Sequence, residues 1–134
     1  MKILLVDDME TRHRAFRQAL APAMGHTLVQ AFDYQSAVCA LLGPTKFDVA
    51  LLDHDLSLAS IMCDPVACTE KTGTDLANWI VANMVTQGAP RFVLHSMNPL
   101  GVRSMFNTLT SAGYTVRALR FDLLLANLGA GHLP

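Results

Sequence analysis

Five short apolar runs recur along the chain, and between them the apolar residues fall about every three to four positions, so strand and helix patterns alternate. Lys2 to Val6 predicts a buried strand that stops at Asp7-Asp8. Glu10 to Ala21 predicts a helix with Met9, Phe16, Ala19, Leu20 and Ala23 on one face, closed by Pro22 and Gly25. His26 to Phe32 predicts a second strand. Asp33 is placed to cap a helix that carries Tyr34, Ala37, Val38, Leu41 and Leu42 and stops at Gly43-Pro44. Phe47 to Leu52 is the third strand, ending in Asp53-His54-Asp55.

Residues 54–72 break the rhythm, since connections in α/β units commonly take about 2–6 residues. Thr72-Gly73-Thr74-Asp75 has the form of a capping box, and Leu76, Ala77, Ile80, Val81 and Met84 continue as a helix. After the turn Gln87-Gly88-Ala89-Pro90, Arg91 to Leu94 predicts the fourth strand, ending at His95-Ser96. Asn98-Pro99 supplies an N-cap and a proline at the first helical position, and Val102, Met105, Phe106 and Leu109 line the helix up to Gly113. Tyr114 to Leu119 is the fifth strand, followed by Arg120, a short helix Phe121 to Leu128 and a frayed tail, Gly129 to Pro134.

Continuous apolar strands alternating with helices specify an α/β domain with a parallel sheet covered on both faces, and 134 residues suit one such domain, 1–134. In the order 2-1-3-4-5 the carboxyl ends of strands one, three and four are neighbours, and ligand crevices of open parallel sheets lie outside those ends. Asp7, Asp8, Asp53, His54, Asp55, His95, Ser96 and Asn98 therefore converge, with Arg120 arriving from strand five.

Composition narrows the partners. Hydrophobic residues make up 51% of the chain and charged residues 16%, which excludes a disordered tail. A net charge of −1 gives no broad grip on nucleic acid or on a membrane surface. No run reaches the ~18 apolar residues of a membrane-spanning helix, and the N-terminal run is too short for a secretory signal. The expectation is a cytoplasmic protein with Cys39, Cys63 and Cys68 reduced.

Asp7, Asp8 and Asp53 would repel one another unless a cation or a proton offset their charge. Hard oxygen donors suit Mg²⁺ or another divalent cation. The plainer alternative is that Asp8 caps the first helix and Asp53 is merely exposed. His54 and His95 are candidates for acid–base work or phosphate contact, against the alternative of a structural hydrogen bond at the rim. His13, His26 and His132 read as surface residues. Ser96 can donate to a phosphate oxygen and Arg120 can pair with one bidentately. Asn98 is explained by its N-cap position, with phosphate contact as the alternative. Cys63, Asp64 and Cys68 near His54 have the residue types of a zinc site, but their spacing fits a zinc motif poorly. Trp79 reads as a packing residue.

This constellation resembles the receiver domain of two-component signalling, a flavodoxin-like fold. The resemblance is carried by Asp7-Asp8, Asp53, Ser96 and a cation after strand five, and it spans nearly the whole chain. Receivers usually have lysine then proline where this chain has Arg120-Phe121, and they lack a histidine after the phosphoacceptor. Asp53-His54-Asp55-Leu56, Thr72-Gly73-Thr74-Asp75 and His95-Ser96-Met97-Asn98-Pro99-Leu100-Gly101 instead resemble the catalytic offshoot called the cyclic-phosphate processing receiver domain.

The resemblance implies metal-assisted hydrolysis of a cyclic phosphate, either a 2′,3′-cyclic phosphate at an RNA end or a small cyclic nucleotide. Asp7, Asp8 and Asp53 would hold the cation, His54 and His95 would serve as base and acid, and Ser96 and Arg120 would face the phosphate oxygens. A variant uses Asp53 as nucleophile with Asp55 as acid–base. The stretch 56–72 would close over substrate, and its single basic residue, Lys71, favours a short or terminal phosphate. The rivals are a receiver phosphorylated on Asp53 that binds a partner protein, and an inactive interaction module.

Overall fold

A computed structural model of the 134-residue chain describes residues 1–21, 25–56 and 71–132. The order is β1 (Lys2–Val6), α1 (Glu10–Leu20), β2 (Thr27–Ala31), α2 (Tyr34–Leu42), β3 (Val49–Leu52), α3 (Gly73–Asn83), β4 (Arg91–Leu94), α4 (Pro99–Ser111), β5 (Val116–Ala118) and α5 (Phe121–Gly129). All strands are parallel, and the sheet runs β2-β1-β3-β4-β5. Pro22 and Ala23, expected to close and line the first helix, lie outside the described residues, as do 57–70 with Cys63, Asp64, Cys68 and most of the expected lid.

The strands are buried on both faces because two helical layers cover them. Leu4, Val6, Ala50, Leu52, Phe92 and Leu94 point to one side, where Ala37, Val38, Leu76, Ile80, Met105 and Leu109 of α2, α3 and α4 pack on them. The alternate residues Ile3, Leu5, Val49, Leu51 and Val93 meet Phe16, Leu20, Phe121, Leu124 and Leu128 of α1 and α5. This two-residue alternation in strands that read as continuously apolar is the signature of a doubly covered sheet.

The helix starts follow local chemistry. Asp33 and Ser36 form a reciprocal capping box at α2, and Thr72 and Asp75 form one at α3. Asn98 Oδ1 accepts the Gly101 N–H at 3.0 Å, with Pro99 opening α4. At α1 the N-cap is Met9, which has no capping side chain; Asp7 Oδ1 instead accepts the Met9 N–H at 2.9 Å. Met9 itself is exposed and takes no part in the core. β5 is shorter than the expected Tyr114 to Leu119. Tyr114 turns into the core and donates its hydroxyl to the Met84 carbonyl at 2.8 Å. Trp79 packs half-buried against the α2–α4 layer. No helix among the described residues is long and apolar enough to cross a membrane.

Candidate functional site

The polar residues gather at the carboxyl edge because the ladder continues one step past each strand. Asp7 N–H donates to the Ala31 carbonyl at 3.1 Å, Asp53 N–H to Val6 at 3.0 Å and His95 N–H to Leu52 at 3.1 Å. Each side chain is thus fixed by backbone register rather than by a free loop. Asp7 and Asp53 are buried, and Asp8 is half-buried at the rim. One carboxylate oxygen from each of Asp7, Asp8 and Asp53 lies within 4.8 Å of the others.

Three acids this close bear on one another's protonation. Burial, then the Asp7 charge, raises the Asp53 pKa to about 6, against the opposing pull of a Ser96 hydrogen bond, of Arg12 and of the His54 N–H. Burial and then Asp7 raise Asp8 as well. The cation that meets this charge is Arg12, in the first turn of α1. Its Nη1 donates to Asp7 Oδ2 at 3.2 Å and to Asp53 Oδ2 at 3.3 Å. The guanidinium also stands 5.8 Å over the Phe121 ring.

The two candidate histidines differ in surroundings. His95 is fully buried, and its ring tilts against Phe121 with centroids 5.4 Å apart. Burial lowers its pKa to about 4; Asp7 opposes that shift, with lesser backbone effects from His95 itself and Val6. His95 is therefore neutral at neutral pH. Among the described residues neither ring nitrogen finds a hydrogen-bond partner, and Nδ1 lies 3.7 Å from Asp7 Oδ2. His54 sits at the mouth, with its side chain 15% exposed. Its Nε2 lies 3.1 Å from Thr74 Oγ1, and its Nδ1 lies 3.0 Å from Asp55 Oδ1 and 3.3 Å from Asn98 Nδ2. Asn98 commits its oxygen to the Gly101 N–H, so its amino group faces His54 and Asp55. A proton on Nδ1 suits the acceptor Asp55 and would leave Nε2 to accept from Thr74 Oγ1.

Two glycines make this seat possible. A Cβ on Gly101 would land on the His54 ring, and one on Gly73 would run into the Asp53 carbonyl and the His54 backbone. The Gly73 N–H also donates to the His54 carbonyl at 2.7 Å, tying the start of α3 to the end of β3.

Asp7, Asp8, Asp53, His54, Asp55, His95, Ser96 and Asn98 are thus brought to one edge. Arg120 lines the groove beside the site together with Ser96, but its guanidinium is exposed and forks onto Asp122, with Nε–Oδ1 at 3.1 Å and Nη2–Oδ2 at 2.7 Å. His13 corrects its surface reading. It is fully buried and stacked 3.9 Å from Phe32, with Nε2 2.7 Å from the Asp7 carbonyl and Nδ1 3.0 Å from Gln30. Sequence reasoning passed over Arg12, Thr74 and Gly101. The only sequence signal for Arg12 was a cation in the first turn of the helix that follows Asp7-Asp8. A groove of about 820 Å³ opens beside the site, lined by Leu94, Ser96, Met97, Val102, Phe106 and Arg103 among others.

A family model described as "Cyclic-phosphate processing Receiver domain" matches residues 2–111. No curated protein matches the sequence. Among solved structures, the chain is similar to the Mn²⁺-bound form of response regulator Rcp1, with TM-score 0.63, 18% identity, and coverage of 96% of this chain and 89% of that one. It is also similar to a CheY-like receiver domain from Methylobacillus flagellatus, with TM-score 0.66, 14% identity, and coverage of 97% and 93%. A signal receiver domain of an HD domain-containing protein from Pseudomonas fluorescens Pf-5 gives TM-score 0.63, 21% identity, and coverage of 95% and 90%. At these identities the structural likenesses establish the fold.

Proposed function

The chain belongs to the cyclic-phosphate processing receiver family, and from that premise we propose that it hydrolyses a cyclic phosphodiester with the help of a divalent cation. The observation that carries this reading is the His54 seat. A histidine wired to Thr74, Asp55 and Asn98 stands beside Asp53, and storage of a phosphoryl group has no use for it.

The donor set fits a hard divalent cation. Three carboxylates supply oxygens within 4.8 Å of one another, and the buried His95 Nδ1, without a hydrogen-bond partner among the described residues, lies 3.7 Å from Asp7 Oδ2. Asp7, Asp8 and Asp53 would hold the ion, Mg²⁺ by the chemistry of the donors; that the similar Rcp1 has a Mn²⁺-bound form supports a divalent ion. When bound, such an ion supplies charge neutralisation and polarisation of a phosphoryl oxygen.

The protein's own residues do the rest. His54 Nε2 takes a proton from the attacking water through the Thr74 hydroxyl, while Asp55 stabilises the imidazolium through Nδ1. The water oxygen bonds to phosphorus, the ring P–O bond breaks, and the departing alkoxide takes the proton. Ser96, bound to Asp53, faces the same space and can donate to the phosphate. His95, neutral and dehydrated, serves as an acceptor or ligand atom and not as the acid, so His54 carries both proton steps. Arg120 lines the groove next to Ser96 and would have to give up its exposed pair with Asp122 to meet a phosphate there. The apolar groove starting at Ser96 has the volume of a small-ligand site and supports a small cyclic nucleotide or a single RNA end as substrate.

The second reading, a receiver phosphorylated on Asp53 that acts through a partner protein, is favoured by the receiver folds it resembles and by the buried position of Asp53 at the end of β3. Steady-state hydrolysis of 2′,3′-cyclic nucleotides with Mg²⁺ separates the two. His54→Gln is expected to lose roughly a hundredfold or more in kcat. If wild type and variant are equally inert while a small phosphodonor labels Asp53, the switch is the function.

A further inference from the structure

Arg12 stands where a cation would. A single nitrogen, Nη1, lies 3.2 Å from Asp7 Oδ2 and 3.3 Å from Asp53 Oδ2, the two buried carboxylates of the trio. Guanidinium normally binds a carboxylate through two parallel N–H groups. Here the two N–H bonds of one nitrogen go to two different carboxylates, and the side chain makes no other hydrogen bond among the described residues. The bridged oxygens belong to two of the three carboxylates whose oxygens lie within 4.8 Å of one another. A guanidinium and a divalent ion cannot share the same two oxygens without strong repulsion at such distances.

Arg12 has a second hold on the site. Its guanidinium carbon lies 5.8 Å from the centroid of Phe121, a buried ring at the same edge that also touches His95. A cation that leaves the carboxylates thus stays stationed at the opening, and the side chain is 22% exposed there. The other guanidinium expected for a phosphate, that of Arg120, is forked onto Asp122.

We propose that Arg12 exchanges partners: it neutralises Asp7 and Asp53 until a divalent cation takes their oxygens, and its guanidinium then binds the phosphate of the substrate. This rests on the cation site proposed above. The exchange makes a cation entering without substrate displace an ion pair, and it gives the phosphate a bidentate donor only once the cation is in place. Binding of ion and phosphate is thereby coupled in one order.

The test uses the full chain, with Mn²⁺ and inorganic phosphate as probes. Calorimetric titration of Arg12→Gln with Mn²⁺ is expected to show about three- to tenfold tighter binding than wild type, because the competing cation is gone. At saturating Mn²⁺ the same variant is expected to bind phosphate about tenfold more weakly. Arg12→Lys, which keeps a charge but not the fork, should bind phosphate more weakly than wild type and carries the test if the glutamine variant does not fold. Unchanged or weaker Mn²⁺ binding in Arg12→Gln overturns the exchange, as does phosphate affinity equal to wild type in either variant. A wild type that binds no Mn²⁺ overturns the cation site itself, an outcome distinct from a wild type that binds it with Arg12 variants unaltered.

Discussion

Asp53 and His95 illustrate how one buried position can mask another. Asp53, raised to about 6 from 3.8, holds its proton more tightly in the folded chain than in the unfolded one. It contributes stability at low pH that is lost as pH rises through about 6. His95, lowered to about 4 from 6.5, contributes stability above its ordinary pKa that is lost as pH falls through about 4. Each effect is on the order of 3 kcal/mol across its window, and between roughly pH 4 and 6 they oppose each other. Without added metal, wild-type stability is expected to be nearly flat there. Asp53→Asn should lose stability steadily as pH falls from 6.5 to 4, read by urea unfolding in chelator; matching slopes in the two proteins would refute the assignment. Thr74 offers a second test. Thr74→Val removes the hydroxyl from His54 Nε2 and is expected to cut kcat by about tenfold or more, with Thr74→Ser restoring it. Equal kcat in Thr74→Val and wild type would remove Thr74 from the proton path.

At the scale of elements, the site is assembled by three strand ends and by the first turn of α4. The strand ends were legible because apolar runs stop abruptly at acids and histidines. The helix starts were legible because Asp33, Thr72 and Asn98 carry capping chemistry. Two side chains on α1 were harder to read. His13, Phe16 and Leu20 share one buried face at helical spacing, but a histidine in that stripe looks polar until Gln30 and the Asp7 carbonyl are seen to satisfy it. Arg12 reaches Asp53, 41 residues away, because α1 lies across β1 and β3, a placement set by packing and not by local sequence. Arg120 does follow β5 to the groove beside Ser96, and the carboxylate of Asp122, two positions on, holds its guanidinium there. The fit of α4 against His54 gives a direct prediction. Gly101→Ala should favour the helix by up to about 1 kcal/mol while pushing the His54 ring out of its seat. Thermal stability should therefore fall little or rise, and activity should drop about tenfold or more; full activity would mean that the ring has room to move.

Over the whole molecule, the same sheet serves two ends. Its carboxyl edge holds a buried acidic pair bridged by Arg12, and its neighbouring groove is apolar and open. A receiver fold needs the acids. In the proposed function, the wired histidine beside Asp53 and the two glycines that admit it would separate cleaving a phosphate ester from holding a phosphoryl group. Cation binding should track this chemistry: because Asp53 must lose its proton, Mg²⁺ affinity is expected to fall as pH drops below about 6. The most direct test of the account is a ³¹P NMR time course of wild-type protein with a 2′,3′-cyclic nucleotide, run with Mg²⁺ and again with chelator. The predicted result is conversion of the cyclic phosphate resonance to a phosphomonoester with Mg²⁺ and none with chelator. A cyclic resonance that persists under both conditions, in protein that binds Mg²⁺ and takes up a phosphoryl group on Asp53, would contradict it.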